Sequence, residues 1–242
     1  MPFETLLHWI YVAAMAAGAL LFFVWMTQPR GVPRWEYLVA IFIPVWSGLA
    51  YMAMALDYGT TAVAGQVTYW ARYADWVVTT PLLLVALWMT GTYSVKKHTH
   101  AALLVALVGA DVIMILSGLV ADLTVGDARY IFYFVGVAAL LVIFYIVWVP
   151  LRRVASVQSP QIRRVYDIVA AYLSLFWIGY PLTWILGPSG LGLVSQQVDT
   201  LLFVVLPIFS KVGFSVVDLG LLRGLGPQTE APAGGRLRPA GA

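Results

Sequence analysis

The sequence predicts an all-α membrane protein, a bundle of seven transmembrane helices, from three observations. Apolar residues make up 62% of the 242 residues and charged residues only 10%, which is far from the composition of a soluble domain. The mean hydropathy is +0.87. Seven apolar stretches are each long enough to cross a hydrocarbon core of about 30 Å at about 1.5 Å per helical residue. They cover residues 4–26, 34–56, 69–91, 101–121, 130–150, 165–187 and 198–222.

The first span and the charged connections predict the orientation of the bundle. No basic leader precedes the span that begins at residue 4, so we expect a retained helix and not a removed signal peptide. Basic residues concentrate in alternate connections, which face the cytoplasm in membrane proteins. These residues are Arg30 and Arg34, Lys96 and Lys97, and Arg152, Arg153, Arg163 and Arg164. The N-terminus is therefore predicted outside and the C-terminus inside, and the pI near 9.2 follows from this topology and does not indicate nucleic acid binding.

The connection after the second span and the C-terminal tail have distinctive compositions. The connection reads DYGTTAVAGQVTYW, and its mixture of Gly, Val and Thr favours a short β-hairpin. Residues 225–242 are rich in Pro, Gly and Ala and are predicted to form a disordered cytoplasmic tail, which leaves residues 1–224 as one seven-helix domain. The chain has no cysteine, so disulfide and thiol chemistry are excluded. We find no motif for a metal site, a nucleotide or a hydrolytic triad, and we do not expect an enzyme.

The third span carries a charged face. Arg72 is one of two basic residues at membrane depth, where an ionisable side chain normally faces the bundle interior and has a partner. Asp75 and Thr79 follow Arg72 on the same helical face, so a cation, a carboxylate and a hydroxyl line one path. The other candidate partners for Arg72 are Asp111 on the fourth span and Asp218 on the seventh. A purely structural ion pair that fastens the third span to its neighbours is the alternative.

The sixth and seventh spans predict a ligand pocket. Trp177, Tyr180 and Trp184 recur at helical spacing on the sixth span, and Trp76 is next to Asp75; rings at this spacing also occur in plain interhelical packing. The seventh span contains VLPIFSK, in which Lys211 is the second basic residue at membrane depth. Burial favours its neutral amine, a nucleophile that forms Schiff bases with aldehydes, and a protonated Schiff base needs a carboxylate such as Asp75.

Three quoted segments resemble the microbial rhodopsins: ARYADWVVTTPLLL, WIGYPLTWILGPSG and LLFVVLPIFSKVGFSVVDL. The similarity covers nearly the whole chain outside the tail, and within the family the chain is most similar to the xenorhodopsins and Anabaena sensory rhodopsin. The resemblance implies all-trans retinal bound as a protonated Schiff base on Lys211, with Asp75 as primary counterion and Arg72 on its extracellular side. It also implies that the chromophore contacts Trp76, Thr80, Leu83, Met114, Gly118, Trp177, Tyr180, Pro181, Trp184, Pro207 and Ser210. The resemblance places Asp111 near the ring end of the chromophore, either with a direct part in proton transfer or as a protonated carboxyl that bridges two helices.

Two departures from the outward proton pumps of this family narrow the function. Those pumps have a second carboxylate one turn before the lysine, where this chain has Pro207, and a carboxylic donor on the cytoplasmic half of the third span, where it has Ala86. Pro207 also removes a backbone donor, so a local kink is expected. The resemblance combined with these residues argues against outward pumping.

Asp218 is a third departure, and it favours a particular function. It lies two turns after Lys211 on the same face, about 10 Å nearer the cytoplasm, which suits a cytoplasmic proton acceptor reached past Ser215; the alternative is a carboxylate that only solvates a helix end. Glu36, Asp199 and His8 lie near span ends, where we expect solvated side chains. The alternatives are that Glu36 assists proton release, that Asp199 holds water along the entry route and that His8 is part of a relay.

The first hypothesis is thus a retinal-binding, light-driven inward proton transporter, a multi-pass protein of the cell membrane. The second is a photosensor that signals through a soluble cytoplasmic transducer, as Anabaena sensory rhodopsin does. Retinal, protons and the lipid bilayer are partners in both cases, and the resemblance also allows a homotrimer.

Overall fold

The computed structural model describes residues 2–63 and 65–226. Most of the predicted disordered tail, residues 227–242, lies outside the described residues. The division into a domain and a tail therefore stays a prediction.

Seven helices are long and apolar enough to cross a membrane, which confirms the predicted fold class. Their bounds lie within a few residues of the apolar stretches except where α5 and α6 extend past them, because polar ends continue both helices. The helices are α1 Phe3–Thr27, α2 Arg34–Ala55, α3 Trp70–Gly91, α4 Lys97–Leu123, α5 Ala128–Ser156, α6 Pro160–Leu186 and α7 Gln196–Gly224. The connections are short, so consecutive helices run antiparallel. We call the end of the bundle with the N-terminus the N-terminal side, and the opposite end the C-terminal side.

Helix α3 lies at the centre of the bundle. In its most apolar window 61% of the residues are buried, compared with 17% for α4. It packs against α2 and α4 and also contacts α6 and α7. A polar side chain on α3 is therefore shielded from lipid on most sides, which is why α3 can carry the charged face that the sequence predicts.

The predicted hairpin is present between α2 and α3. Strands β1 (Thr61–Val63) and β2 (Gln66–Thr68) pair antiparallel, with Thr61 opposite Thr68. Gly65 in the turn has a φ of +82°, a conformation that glycine adopts without steric cost. The hairpin covers the N-terminal side of the bundle, where Val63, Val67 and Thr68 line a polar cavity.

Helix α7 changes its hydrogen-bond spacing at the predicted kink. An α-helical part ends at Pro207, a π-helical segment covers Ile208–Gly213, and the α-helix resumes at Phe214. Pro207 has no N–H to donate to the carbonyl of Phe203, one turn earlier. Tyr51 on α2 fills this position instead, because its hydroxyl donates to Phe203 O at 2.6 Å. The π segment contains Lys211, and such segments occur frequently at functional sites.

Two side chains cross-link helix ends on the C-terminal side. Arg223 at the end of α7 donates to Trp25 O at 2.8 Å and to Gln28 O at 2.7 Å, which ties α7 to the end of α1. Gln158, between α5 and α6, donates to Gly91 O at 2.7 Å and accepts from the Ser94 backbone N–H at 2.7 Å. It thereby fastens the end of α3 to the connection between α5 and α6.

Candidate functional site

Lys211 and Asp75 meet in the interior of the bundle. Lys211 is 1% exposed and Asp75 is fully buried, and Lys211 Nζ donates to Asp75 Oδ2 in close contact. Ser47 on α2 completes this centre: it donates to Asp75 Oδ2 at 2.8 Å and accepts from Lys211 Nζ at 2.8 Å. The structure thus brings together the amine and the carboxylate that the sequence singled out.

Two further hydroxyl groups position this centre. Thr79 donates to Asp75 Oδ1 at 3.1 Å, so each carboxylate oxygen of Asp75 accepts at least one hydrogen bond. Tyr180 on α6 and Ser210, the residue before Lys211, share a hydrogen bond of 2.7 Å. These bonds fix the rotamers of the groups around the amine, which holds the Lys211–Asp75 contact in one geometry.

An apolar cavity lies beside this centre between α3, α4, α5 and α6. Among the expected chromophore contacts, it is lined by Trp76, Thr80, Met114, Gly118, Trp177, Tyr180, Pro181 and Trp184. Seven further residues complete the lining: Tyr73, Ile115, Tyr133, Gly136, Val137, Leu140 and Phe203. The prediction did not include them, because spacing along one helix does not identify the side chains that neighbouring helices bring to a cavity.

The cavity fits the retinal that the resemblance implies. Its walls are aromatic and aliphatic side chains, which suit a polyene. Gly118 lets the Tyr73 ring pack closely in the cavity wall, since a Cβ at this position would lie 3.2 Å from Tyr73 Cε1. Trp76 Nε1 is buried with no hydrogen-bond partner among the described residues, so the indole presents its ring to the cavity without a polar anchor. We expect Lys211 to hold the ligand and Trp76, Trp177, Tyr180 and Trp184 to enclose it.

Three of the expected contacts are not part of the cavity wall. Leu83 is fully buried within the main hydrophobic core. Pro207 and Ser210 are buried on α7 beside Lys211, one shaping the backbone and the other bonded to Tyr180. They neighbour the lysine and do not line the cavity.

Asp111 bridges two helices, in agreement with one of the two readings. It is fully buried, and its Oδ2 accepts from Thr80 Oγ1 at 2.8 Å, which joins α4 to α3. Its Oδ1 has no partner in the described part of the chain. Thr80 also lines the cavity, so the bridge lies directly behind the ligand wall.

The predicted partners of Arg72 are wrong. Arg72 Nη1 lies 3.8 Å from Asp199 Oδ2, while Asp75 binds Lys211. Arg72 also lies over the Phe203 ring, 4.2 Å from its centroid. Asp199 was expected to be solvated because it is near the start of α7; helix packing turns it inward, where it is 7% exposed.

A polar cavity on the N-terminal side connects these groups to the surface. Arg72 and Asp199 line it together with Asp122 and Arg129, so its formal charges balance. Trp184, which also lines the apolar cavity, donates from Nε1 to Asp122 Oδ1 at 2.9 Å. The two cavities therefore share Trp184 and Phe203 as a wall.

Asp218 lies buried on the opposite side of Lys211, with 4% of its surface exposed. Its Oδ1 accepts from Thr90 Oγ1 on α3 at 2.7 Å, and Thr90 is fully buried. The alternative, a carboxylate exposed to water at a helix end, is therefore wrong. Thr90 was missed by the sequence analysis, because a threonine in an apolar span carries no charge signal. Ser215, 3% exposed, lies between Lys211 and Asp218 along α7.

Glu36 and His8 are buried, which corrects the expectation that both are solvated. Glu36 is 3% exposed and His8 is 2% exposed, because both face the bundle although they lie near helix ends. Glu36 lies close enough to Asp218 for the two carboxyl groups to interact electrostatically. Burial, together with the nearby charge of Glu36, raises the pKa of Tyr93 between α3 and α4 to about 12, so the Tyr93 hydroxyl beside Glu36 keeps its proton.

The arrangement is a line of proton-binding groups through the bundle. Asp199 and His8 lie on the N-terminal side, Asp75 and Lys211 at the centre, and Asp218 on the C-terminal side. A buried amine with one carboxylate on each side along this line can receive a proton from one and release it to the other.

Comparison with known proteins shows which proteins the chain is similar to. The family model for bacteriorhodopsin-like protein matches residues 2–225. The chain is 34% identical to bacteriorhodopsin of Halobacterium salinarum over 238 residues, which cover 93% of this chain and 87% of that protein. The crystal structure of thermophilic rhodopsin from Rubrobacter xylanophilus has a TM-score of 0.87 and 35% identity, and the match covers 92% of this chain and 97% of that one. The light-driven proton pump rhodopsin of Coccomyxa subellipsoidea has a TM-score of 0.81 and 30% identity over 90% of this chain and 96% of its own.

Proposed function

The chain belongs to the bacteriorhodopsin-like family of retinal-binding membrane proteins, and on that premise we propose that it is a light-driven inward proton transporter of the xenorhodopsin subgroup. Retinal is its cofactor, bound as a Schiff base to a lysine, and the chain is a multi-pass membrane protein. We assign the attachment to Lys211. By the distribution of basic residues, the C-terminal side of the bundle faces the cytoplasm.

The buried Asp218 carries this proposal. It lies two helical turns from Lys211, about 10 Å along α7, and it is held by Thr90 inside the bundle. Its carboxyl group is therefore available as a proton acceptor on the cytoplasmic side of Lys211. Ala86, at the position of a carboxylic donor in outward pumps, is buried in the apolar core, so a donor from the cytoplasm is absent at that position.

Retinal supplies the response to light, since its isomerisation reorients the N–H at Lys211 Nζ. The side chains of the protein then move the proton. Lys211 Nζ gives its proton toward Asp218, past Ser215 and ordered water, and a proton returns to Lys211 Nζ from the side of Asp75. Glu36, buried near Asp218, is placed to accept the proton on its way to the cytoplasm.

Asp75 acts as the counterion. Pro207 replaces the second carboxylate of the outward pumps, so Asp75 alone balances the charge at Lys211 within the contacts that the described residues make. Arg72 is held away from this centre by Asp199. It contributes a fixed positive charge on the extracellular side, which disfavours the escape of a proton in that direction.

The light-induced pH change of unbuffered cells that express the protein with retinal tests the proposal. We expect external alkalinisation that a protonophore abolishes. Asp218→Asn should remove the signal. Asp57→Asn is the matched control, since Asp57 is exposed and its φ of +63° suits asparagine.

Two other outcomes would contradict inward transport. External acidification would mean outward pumping and would refute the argument from Pro207 and Ala86. A coloured, photoactive protein without a pH signal would instead favour the photosensor with a soluble transducer.

A further inference from the structure

Helix α1 buries two polar residues on one face, next to the Lys211 centre. Its buried face contains His8, Tyr11 and Met15, at helical spacing, while most other residues of this helix face lipid. Tyr11 is fully buried, with 0% of its surface accessible. Polar groups at this depth in a membrane helix are costly and usually functional.

The hydrogen bonds of Ser47 give this face a direction. A serine hydroxyl has one proton to donate and two lone pairs to accept with. Ser47 donates to Asp75 Oδ2 at 2.8 Å and accepts from Lys211 Nζ at 2.8 Å. The remaining contact, 2.6 Å to the Tyr11 hydroxyl, must therefore be donated by Tyr11. The result is a directed chain from Tyr11 through Ser47 to Asp75.

His8 lies one helical turn from Tyr11, about 4.5 Å closer to the N-terminal end along α1. Its ring makes edge contacts with Tyr51 and Tyr69, at centroid distances of 5.8 and 5.4 Å. His8 Nε2 is buried with no hydrogen-bond partner among residues 2–63 and 65–226. The same holds for Thr200 Oγ1 and for Nε and Nη2 of Arg72.

Unpartnered buried polar atoms on this side indicate ordered water. Such atoms are rare in native proteins and are usually satisfied by buried water. Arg72 Cζ lies 5.1 Å from the centroid of the Tyr69 ring, which also contacts the His8 ring at a centroid distance of 5.4 Å, so these groups are neighbours on the N-terminal side. Water bound between them would link His8 to the hydroxyl of Tyr11, which the protein atoms alone leave a helical turn away.

We infer that His8, Tyr11 and Ser47 form a proton-uptake branch, here called the helix-1 relay, which supplies Asp75 and Lys211 Nζ from the extracellular side. This rests on the proposed function for the direction of transport. Tyr11 gives its hydroxyl proton to Ser47, and Ser47 gives its own to Asp75 or to Lys211 Nζ. Tyr11 then regains a proton from water held at His8, and that water takes one from the extracellular medium, so the water and both hydroxyl groups end neutral.

The relay approaches Arg72 at its first member and then leaves it. A proton that passed along α3 would approach a buried guanidinium, which repels it. The relay meets this charge at His8, which lies beside Arg72, with the Tyr69 ring in contact with both. Beyond His8, Tyr11 and Ser47 approach Asp75 from α1 and α2 and not along the charged face of α3.

Tyr11→Phe tests the relay because it deletes only the hydroxyl and keeps the ring stacked on Tyr51, at a centroid distance of 3.7 Å. Flash spectroscopy of the purified, retinal-loaded protein measures the rate at which the proton returns to Lys211 Nζ. We expect a slowing of about 100-fold, typical of losing a positioned proton donor, and a changed solvent isotope effect. His8→Phe, which keeps a ring for the edge contacts, should slow the same step.

Tyr166→Phe is the matched control. It removes the hydroxyl of another fully buried tyrosine, which donates to Val147 O on α5 at 2.5 Å and lies outside the relay. Its proton-return rate should stay within about twofold of the unmodified protein. If Tyr166→Phe slows the step as much as Tyr11→Phe, the effect is structural and the relay is refuted; an unchanged rate in Tyr11→Phe also refutes it.

A readout that does not depend on turnover is the infrared difference spectrum of protein with ring-labelled tyrosine. Light should shift a tyrosine C–O band that is absent from Tyr11→Phe and present in Tyr166→Phe; a shift in all three proteins would refute the assignment to Tyr11. These measurements are made in detergent and do not depend on the direction of transport. Slowed return without alkalinisation in cells would therefore refute inward transport and keep the relay, whereas alkalinisation with an unchanged return rate would refute the relay alone.

Discussion

Tyr51→Phe tests how α7 tolerates a proline beside its lysine. Pro207 leaves Phe203 O without a helical donor, and the Tyr51 hydroxyl fills the position at 2.6 Å. Tyr51 is fully buried, so water cannot replace the lost hydroxyl easily. An unsatisfied buried carbonyl costs about 1–3 kcal/mol. We therefore expect the free energy of unfolding to fall by this amount.

Thermal unfolding in one detergent, with and without retinal, measures this loss. For a chain of this size, each kcal/mol lowers the Tm by about 2–4 °C, so the expected decrease is about 2–12 °C. The ring stack with Tyr11 persists in phenylalanine, which restricts the change to the hydroxyl.

Pro207→Ala provides the second arm of a double-mutant cycle. Alanine restores a backbone N–H for Phe203 O, so Tyr51→Phe in this background should cost less than about 1 kcal/mol. An equal loss in both backgrounds would refute the idea that Tyr51 compensates for the proline. A negligible loss in the unmodified background would refute it as well.

Three further predictions concern the site. Thr80→Val should lower the free energy of unfolding by about 1–3 kcal/mol, because Asp111 loses its hydrogen bond to Thr80. Thr80→Ser should retain most of the stability in the same thermal assay. Equal losses in the two variants would contradict the bridge between α3 and α4. Arg72→Gln should cost about 3–5 kcal/mol by leaving buried Asp199 unpaired, and Asp199→Asn added to it should recover part of this in denaturant unfolding, while a purely additive loss would argue against the pair. Gly118→Val should reduce the yield of coloured protein on adding all-trans retinal, since its side chain would displace the Tyr73 ring in the cavity wall. Gly109→Val, with open space around it, should not, and equal yields would place the ligand elsewhere.

Much of the fold was predictable because a membrane imposes one length on every span. Apolar stretches of sufficient length identified all seven helices, and the Gly, Val and Thr mixture identified the hairpin. The contact between Lys211 and Asp75 was predictable for a related reason. Charges are so costly at membrane depth that a buried cation and a nearby buried carboxylate are expected to face each other.

The partner of Arg72 was not predictable by the same argument. Depth along the chain suggested that Asp199 lies near the interface, and depth does not reveal which way a helix is rotated. The same limit explains Glu36 and His8, which lie near helix ends but face the bundle. The buried face of α1 had a weak signal in the spacing of His8, Tyr11 and Met15, which an otherwise apolar helix obscures.

Uncharged polar residues were the hardest to predict. Thr90, Ser47 and Tyr11 change hydropathy little, and their roles depend on which atom of another helix lies within hydrogen-bond distance. Only the packing of α3 against α7 brings Thr90 to Asp218. Function at such positions is a property of the assembled bundle and not of any one span.

The π-helical segment around Lys211 has a mechanical consequence. Two carbonyls of α7 near the lysine are held by tyrosines of other helices: Phe203 O by Tyr51 of α2, and Phe209 O by Tyr172 of α6 at 3.1 Å. The backbone that carries the lysine is thus held by two neighbouring helices in addition to its own π-helical hydrogen bonds. A displacement of the backbone at Lys211 is therefore transmitted through these two hydrogen bonds to α2 and α6.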